Sequence, residues 1–152
     1  MHKTRFAKPA VSLALLIGLS APATGAAPPA PTIDVYKSPT CGCCVKWIDH
    51  LEANGFTVRS HDTGNLAQHK QRLGIPAGYQ SCHTAEVGGY VIEGHVPASD
   101  IKRLLKDKPH ARGLTLPGMP VGSPGMEQGS QKDAYEVILL DKNGAPRVYS
   151  RY

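Results

Sequence analysis

Three of the four cysteines of this chain fall within four positions, Cys41-Gly42-Cys43-Cys44, and the fourth, Cys82, lies well downstream. Thiols spaced this way could do three kinds of chemistry. The first is structural. Four cysteines allow three pairings, one of which needs a strained bridge between adjacent Cys43 and Cys44. Cys41–Cys44 with Cys43–Cys82 is feasible, but two bridges from one turn close little chain and so constrain it weakly. The second is redox. Cys41 and Cys44 make a C-x-x-C, and at a strand-to-helix turn the free N–H groups and helix dipole would favour a thiolate at Cys41. The extra thiol at Cys43 complicates a clean two-electron couple. The third is metal binding. Three thiolates at one turn and Cys82 from a distant loop can converge on one soft site, suited to Cu(I), Zn²⁺ or an iron–sulfur cluster.

The spacing favours copper among these metals. Structural zinc sites usually supply two separated cysteine pairs, whereas this chain supplies three cysteines and one. Adjacent Cys43 and Cys44 project in different directions, which suits thiolates bridging several small soft ions. The expected ligands are therefore Cys41, Cys43, Cys44 and Cys82, holding Cu(I) as one ion or as a small polynuclear cluster, with zinc the weaker alternative. Binding should be tighter in the reduced protein, since a disulfide removes two thiolate donors.

Softer support comes from methionine and histidine. Met1 apart, the only methionines are Met119 and Met126, both in one Gly/Pro-rich stretch. Each is a thioether donor or a filler beneath a loop. His83 follows Cys82 and His95 follows Gly94, and either imidazole could ligate Cu(II) or Zn²⁺. Of these, Met119, Met126 and His83 join the site as secondary candidates. His50, His61, His69 and His110 form no constellation. No Ser-His-Asp order, P-loop or dinucleotide fingerprint is present, so no catalytic residue is assigned beyond Cys41 and Cys44 as redox candidates.

The elements that must position these residues follow from periodicity. Thr32–Ser38 alternates as a strand and runs into the cysteine turn. The turn opens a helix with Val45, Ile48 and Leu51 as its apolar stripe and Trp47 beside it, ended by Asn54-Gly55. Phe56–His61 is a second strand, and Leu66–Leu73 a short helix stopped by Gly74 and Pro76. Gly88-Gly89 joins strands Thr84–Val87 and Tyr90–Glu93 as a hairpin. Ser99–Lys108 is a helix facing inward with Ile101, Leu104 and Leu105. Residues 109–133 carry no periodicity and read as a long loop. Tyr135–Leu140 and Arg147–Tyr152 close the chain as a second hairpin, with Val137 to Leu140 dense enough to be buried on both faces. This order points to an α/β fold, a thioredoxin-like layer with residues 75–108 as an inserted hairpin plus helix and a C-terminal β-hairpin. On that layout Met119-Pro120 would be a cis-proline turn facing the cysteines.

Residues 1–26 read as a signal peptide. Lys3, Arg5 and Lys8 precede an apolar run, Ala10 to Ala21, and then small residues. The run is shorter than the ~20 residues a membrane span needs. A Pro-rich leader, 27–31, would precede one domain over 32–152, in the periplasm, with no membrane span in the mature chain. Formal charge is +5, from 17 basic and 12 acidic residues, but the basic residues of the first 26 positions face no acid. Without them the balance is 14 basic to 12 acidic, and no basic stripe with interleaved aromatics remains to bind nucleic acid.

Four stretches together carry a family likeness: Cys41-Gly42-Cys43-Cys44-Val45-Lys46-Trp47, Ser81-Cys82-His83-Thr84-Ala85, Tyr90-Val91-Ile92-Glu93-Gly94-His95-Val96-Pro97 and residues 117–127, Pro117 to Glu127. In these the chain resembles the CopG-type periplasmic metal-binding proteins, over roughly residues 32–150. The resemblance implies a thioredoxin-like fold, copper bound through Cys41, Cys43, Cys44 and Cys82, a role in copper resistance or handling, and a change of copper oxidation state. It also implies copper ions and other periplasmic copper-handling proteins as partners. The rivals are a thiol–disulfide oxidoreductase using Cys41–Cys44, a structural zinc module, and a copper chaperone that only delivers.

Overall fold

The structure is a computed structural model that describes residues 31–152; the expected signal peptide and all but the last leader residue lie outside the described residues. Alternating Ile33 and Val35 make β1 (Thr32–Lys37), which leads through a turn into α1 (Gly42–Ala53). Then follow β2 (Thr57–Asp62), α2 (Leu66–Arg72), a 3-10 turn at Ala77–Tyr79, the hairpin β3 (His83–Val87) and β4 (Tyr90–Glu93), and α3 (Ala98–Asp107). β5 (Ala111–Thr115), β6 (Glu136–Asp141) and β7 (Pro146–Arg151) complete the chain.

All seven strands form one sheet, in the order β2-β1-β3-β4-β5-β6-β7. β1 runs parallel to β2 and antiparallel to β3, β3 and β4 are antiparallel, and β4 runs parallel to β5 through α3. β5, β6 and β7 continue antiparallel. The turn between β3 and β4 has positive φ at both Gly88 and Gly89, the conformation that two-residue hairpins favour and that glycine adopts freely. One core holds Ile33 and Val35 of β1, Trp47 and Leu51 of α1, Ile92 of β4, Ile101 and Leu104 of α3, Leu114 of β5 and Val137 and Leu139 of β6. No helix among the described residues is long and apolar enough to cross a membrane.

Several expectations are corrected. Residues 75–108 are not an insertion beside a separate layer, because β3 and β4 within them pair with β1 and β5 in the middle of the sheet. Met119-Pro120 is not a cis turn: the described residues contain no cis peptide bond. The long loop contains a strand, β5, hidden by Gly113. A Cβ at that position would collide with the Val91 carbonyl of β4, so only glycine allows this close approach. The inward stripe of α1 is Cys44, Trp47, Ile48 and Leu51, and Val45 is 44% exposed. Trp47 takes the inner position because its indole N–H donates to the Val96 carbonyl at 2.9 Å, which satisfies the polar atom that burial would strand. In β6, Val137, Leu139 and Leu140 are buried while Ile138 is only half-buried. Leu105 of α3 is likewise half-buried against the core rather than within it.

Candidate metal centre

Strand register brings the distant cysteines together. β1 ends where the cysteine turn begins, and β3 starts beside that end, because Lys37 pairs with His83 across the antiparallel ladder. Cys82, immediately before β3, therefore faces the turn. Cys41 stands at the N-cap of α1 without a side-chain cap bond, and Cys43 and Cys44 lie in the first helical turn, where backbone N–H groups have no intrahelical acceptor.

The four sulfurs form one cluster, every pair within 4.8 Å. Cys41 and Cys44 are joined as a disulfide. Cys43 and Cys82 are free thiols. Cys43 Sγ lies 3.6 Å from Cys41 Sγ and 4.0 Å from Cys82 Sγ, and Cys44 Sγ lies 3.6 Å from Cys82 Sγ. Cys44 is fully buried and the other three are half-buried. Burial pushes the Cys82 thiol up to about 12, and the neighbouring Cys43 adds to the shift. Cys82 thus keeps its proton at neutral pH.

The β3–β4 hairpin adds two imidazoles. The Gly94 N–H donates to the His83 carbonyl at 3.1 Å, which sets His95 beside Cys82 and His83. Cys82 Sγ is 3.2 Å from His83 Nδ1 and 3.1 Å from His95 Nε2. Both rings are fully buried. His83 stacks at a tilt on Trp47, with centroids 4.3 Å apart. Burial holds both histidines below the usual imidazole range, His83 well below it, so they are neutral at pH 7, the form that ligates metal. His83 was expected as a secondary candidate; the equal standing of His95 was missed, because it depends on hairpin register.

A buried ion pair supports Cys82 from behind. Lys70 of α2 donates to Glu93 of β4 and to Thr84 Oγ1. Glu93 also accepts from the Thr84 hydroxyl and from the Ser81 N–H, each at 2.6 Å. Burial raises the Glu93 carboxyl against the downward pull of Lys70. The only sequence signal for this pair is a carboxylate ending an otherwise apolar strand, Tyr90-Val91-Ile92-Glu93.

The Gly/Pro stretch after β5 lies over the site. The Pro124 carbonyl accepts from His95 Nδ1 at 2.8 Å. Met126 lines a cleft with Cys43, Lys46 and Glu127, whereas Met119 is 50% exposed. Three other histidines have other surroundings. His50 Nε2 accepts from the Ala98 N–H at the start of α3, His61 bonds to Asp34, and His69 stacks on Tyr36.

The chain is similar to known proteins. Residues 79–126, which include Cys82, His83, His95, Met119 and Met126, match a family model described as "Protein of unknown function, DUF411". No curated protein matches the chain. Two solved structures of a copper resistance protein CopG, Form 2 and Form 1, are each 47% identical, with a TM-score of 0.78. They match 81% and 82% of this chain and 98% of their own length.

Proposed function

Since the chain belongs to the CopG family of copper resistance proteins, we propose that it binds copper in the periplasm, through the thiolates of Cys41, Cys43, Cys44 and Cys82 once the Cys41–Cys44 disulfide is reduced. The observation that carries this reading is the convergence of all four sulfurs within 4.8 Å. Four soft donors this close favour Cu(I) over harder ions, and adjacent thiolates suit a small cluster. Met126 and Met119 would lid the site as thioether donors, with His83 a further ligand. Zinc is the weaker cargo.

Residues 1–26 would be removed on export, leaving 27–31 as a leader to one domain, 32–152. The strand order β2-β1-β3-β4 with α1 and α2 between the first three strands supports a thioredoxin-like layer, extended by β5 to β7. In such a layer the dithiol at the start of α1 could exchange two electrons with two copper ions: two Cu(II) gain one electron each as Cys41 and Cys44 form the disulfide and release two protons. That would serve copper detoxification, alone or with other periplasmic copper-handling proteins.

The test is metal content per chain. The reduced, anaerobic protein from residue 27 is offered equal Cu(I) and Zn²⁺, desalted, and assayed for bound metal and free thiols. Copper at one or more per chain with all four thiols masked supports the reading. Zinc alone at one per chain overturns it in favour of a structural module. The disulfide at the start of α1 favours one second reading, a thiol–disulfide oxidoreductase. That enzyme would reduce insulin without metal and lose little on Cys82→Ser.

A further inference from the structure

Cys82 belongs to two donor sets at once. One is the four-sulfur cluster. The other is Cys82 Sγ with His83 Nδ1 and His95 Nε2, all mutually within 4.8 Å. We infer that, while Cys41 and Cys44 are joined, Cys82, His83 and His95 hold one borderline divalent cation, of the Zn²⁺ or Cu(II) type, so that the disulfide decides which donor set is in use. This deepens the proposed copper-binding role and rests on it for its biological meaning.

The donor chemistry supports the assignment. The disulfide removes Cys41 and Cys44 as thiolate donors, and one thiolate with two imidazoles suits a borderline ion better than Cu(I) alone. His95 is already set for ligation. A carbonyl can only accept, so Nδ1 carries the proton it gives to Pro124, and the Nε2 lone pair points to Cys82. Such a carbonyl contact is the usual way a ligating histidine is oriented. His83 is held by its stack on Trp47.

The spacing also fits. With metal–sulfur and metal–nitrogen bonds of about 2.3 and 2.0–2.1 Å, nitrogens 3.1–3.2 Å from the sulfur subtend angles near a right angle at a shared ion. Widening each by about 0.4 Å reaches a tetrahedral angle. Binding is not a redox step: the ion takes the Cys82 thiolate, and the thiol proton passes to water.

The oxidised protein provides the test, with Co²⁺ as a spectroscopic probe and Zn²⁺ as competitor. One Co²⁺ per chain should bind with a thiolate-to-Co²⁺ absorption band, and Zn²⁺ should displace it. One equivalent of Zn²⁺ should shield Cys82 from alkylation while leaving Cys43 reactive, as read by peptide mass in the unaltered chain. His95→Gln should weaken Co²⁺ at least tenfold with its melting curve retained, and Cys41→Ser/Cys44→Ser should bind Co²⁺ as the oxidised protein does. Absence of the band, or Zn²⁺ shielding of both thiols or of neither, overturns the inference. Cu(I) loading of the reduced protein is measured in parallel. Cu(I) without Co²⁺ overturns this inference alone, and Co²⁺ without Cu(I) overturns the copper reading while leaving the divalent site.

Discussion

Gly125 presses against the backbone of α1: a Cβ built on it would stand 2.8 Å from the Trp47 amide nitrogen and 3.0 Å from the Cys43 carbonyl oxygen. Its φ of +84° is also one that side chains resist. This contact lays the Gly/Pro stretch over the cysteines and brings Pro124 to His95. Gly125→Ala should therefore cost about 1–3 kcal/mol from strained backbone and overlap. It should also lift the stretch and weaken metal binding. Urea unfolding and a copper titration, run on the same variant, check both. An alanine protein of native stability would show that the stretch is not held by this contact.

His50 links α1 to α3, because its Nε2 accepts from the Ala98 N–H. Protonation would abolish that acceptor. Burial lowers the His50 pKa in the folded protein below its ordinary 6.5, outweighing the nearby Glu127. Below pH 6.5 the unfolded chain then binds more protons at this position than the folded one, so acid favours unfolding. Stability should be full above pH 6.5 and decline as the pH falls towards the lowered folded value. His83 and His95 act in the same sense. His50→Gln, which keeps an acceptor and does not titrate, should show a smaller loss in urea midpoint between pH 7.5 and 5. An equal loss in both proteins would remove His50 from the account.

Local chemistry was readable along the chain, and placement in the sheet was not. Gly88-Gly89 announces its hairpin because the turn needs two positive φ values. Asn54-Gly55 announces the end of α1. The convergence of Cys82 on Cys41, Cys43 and Cys44 followed from donor chemistry and family likeness. His95 was less visible, since it reaches Cys82 only through the pairing of Thr84 with Glu93. β5 was hidden because its central Gly113 carries no pattern, and its reason for being glycine is the Val91 carbonyl, which no local window contains. Val45 reads as a core residue along the sequence because hydropathy alone does not reveal that the Trp47 N–H has an acceptor inside.

Cys82 is the shared member of both donor sets, so Cys82→Ser should have the widest effect on metal. A hydroxyl is a poor ligand for Cu(I). We expect Cu(I) affinity of the reduced protein to fall at least tenfold, about 1.4 kcal/mol or more, with fewer ions per chain. Competition against a calibrated Cu(I) chelator measures both. Unchanged affinity and stoichiometry would mean that the helix cysteines suffice and that the convergence of Cys82 is incidental.

The Lys70–Glu93 pair separates stability from site geometry. Both side chains are nearly excluded from water, so Glu93→Gln leaves Lys70 without its counter-charge at a cost of about 3–5 kcal/mol. Replacing both partners with apolar residues, Lys70→Met with Glu93→Leu, removes the stranded charge and should recover much of that loss. The double variant still lacks the carboxylate that accepts from the Ser81 N–H, so the backbone beside Cys82 loses one of the bonds that position it. Stability should therefore return while metal affinity remains about tenfold or more below that of the native protein, the scale on which ligand-orienting contacts act. Urea unfolding of the single and double variants, paired with copper competition, reads the two effects independently. A double variant that recovered stability and metal affinity together would leave Glu93 a fold-stabilising residue with no part in orienting Cys82.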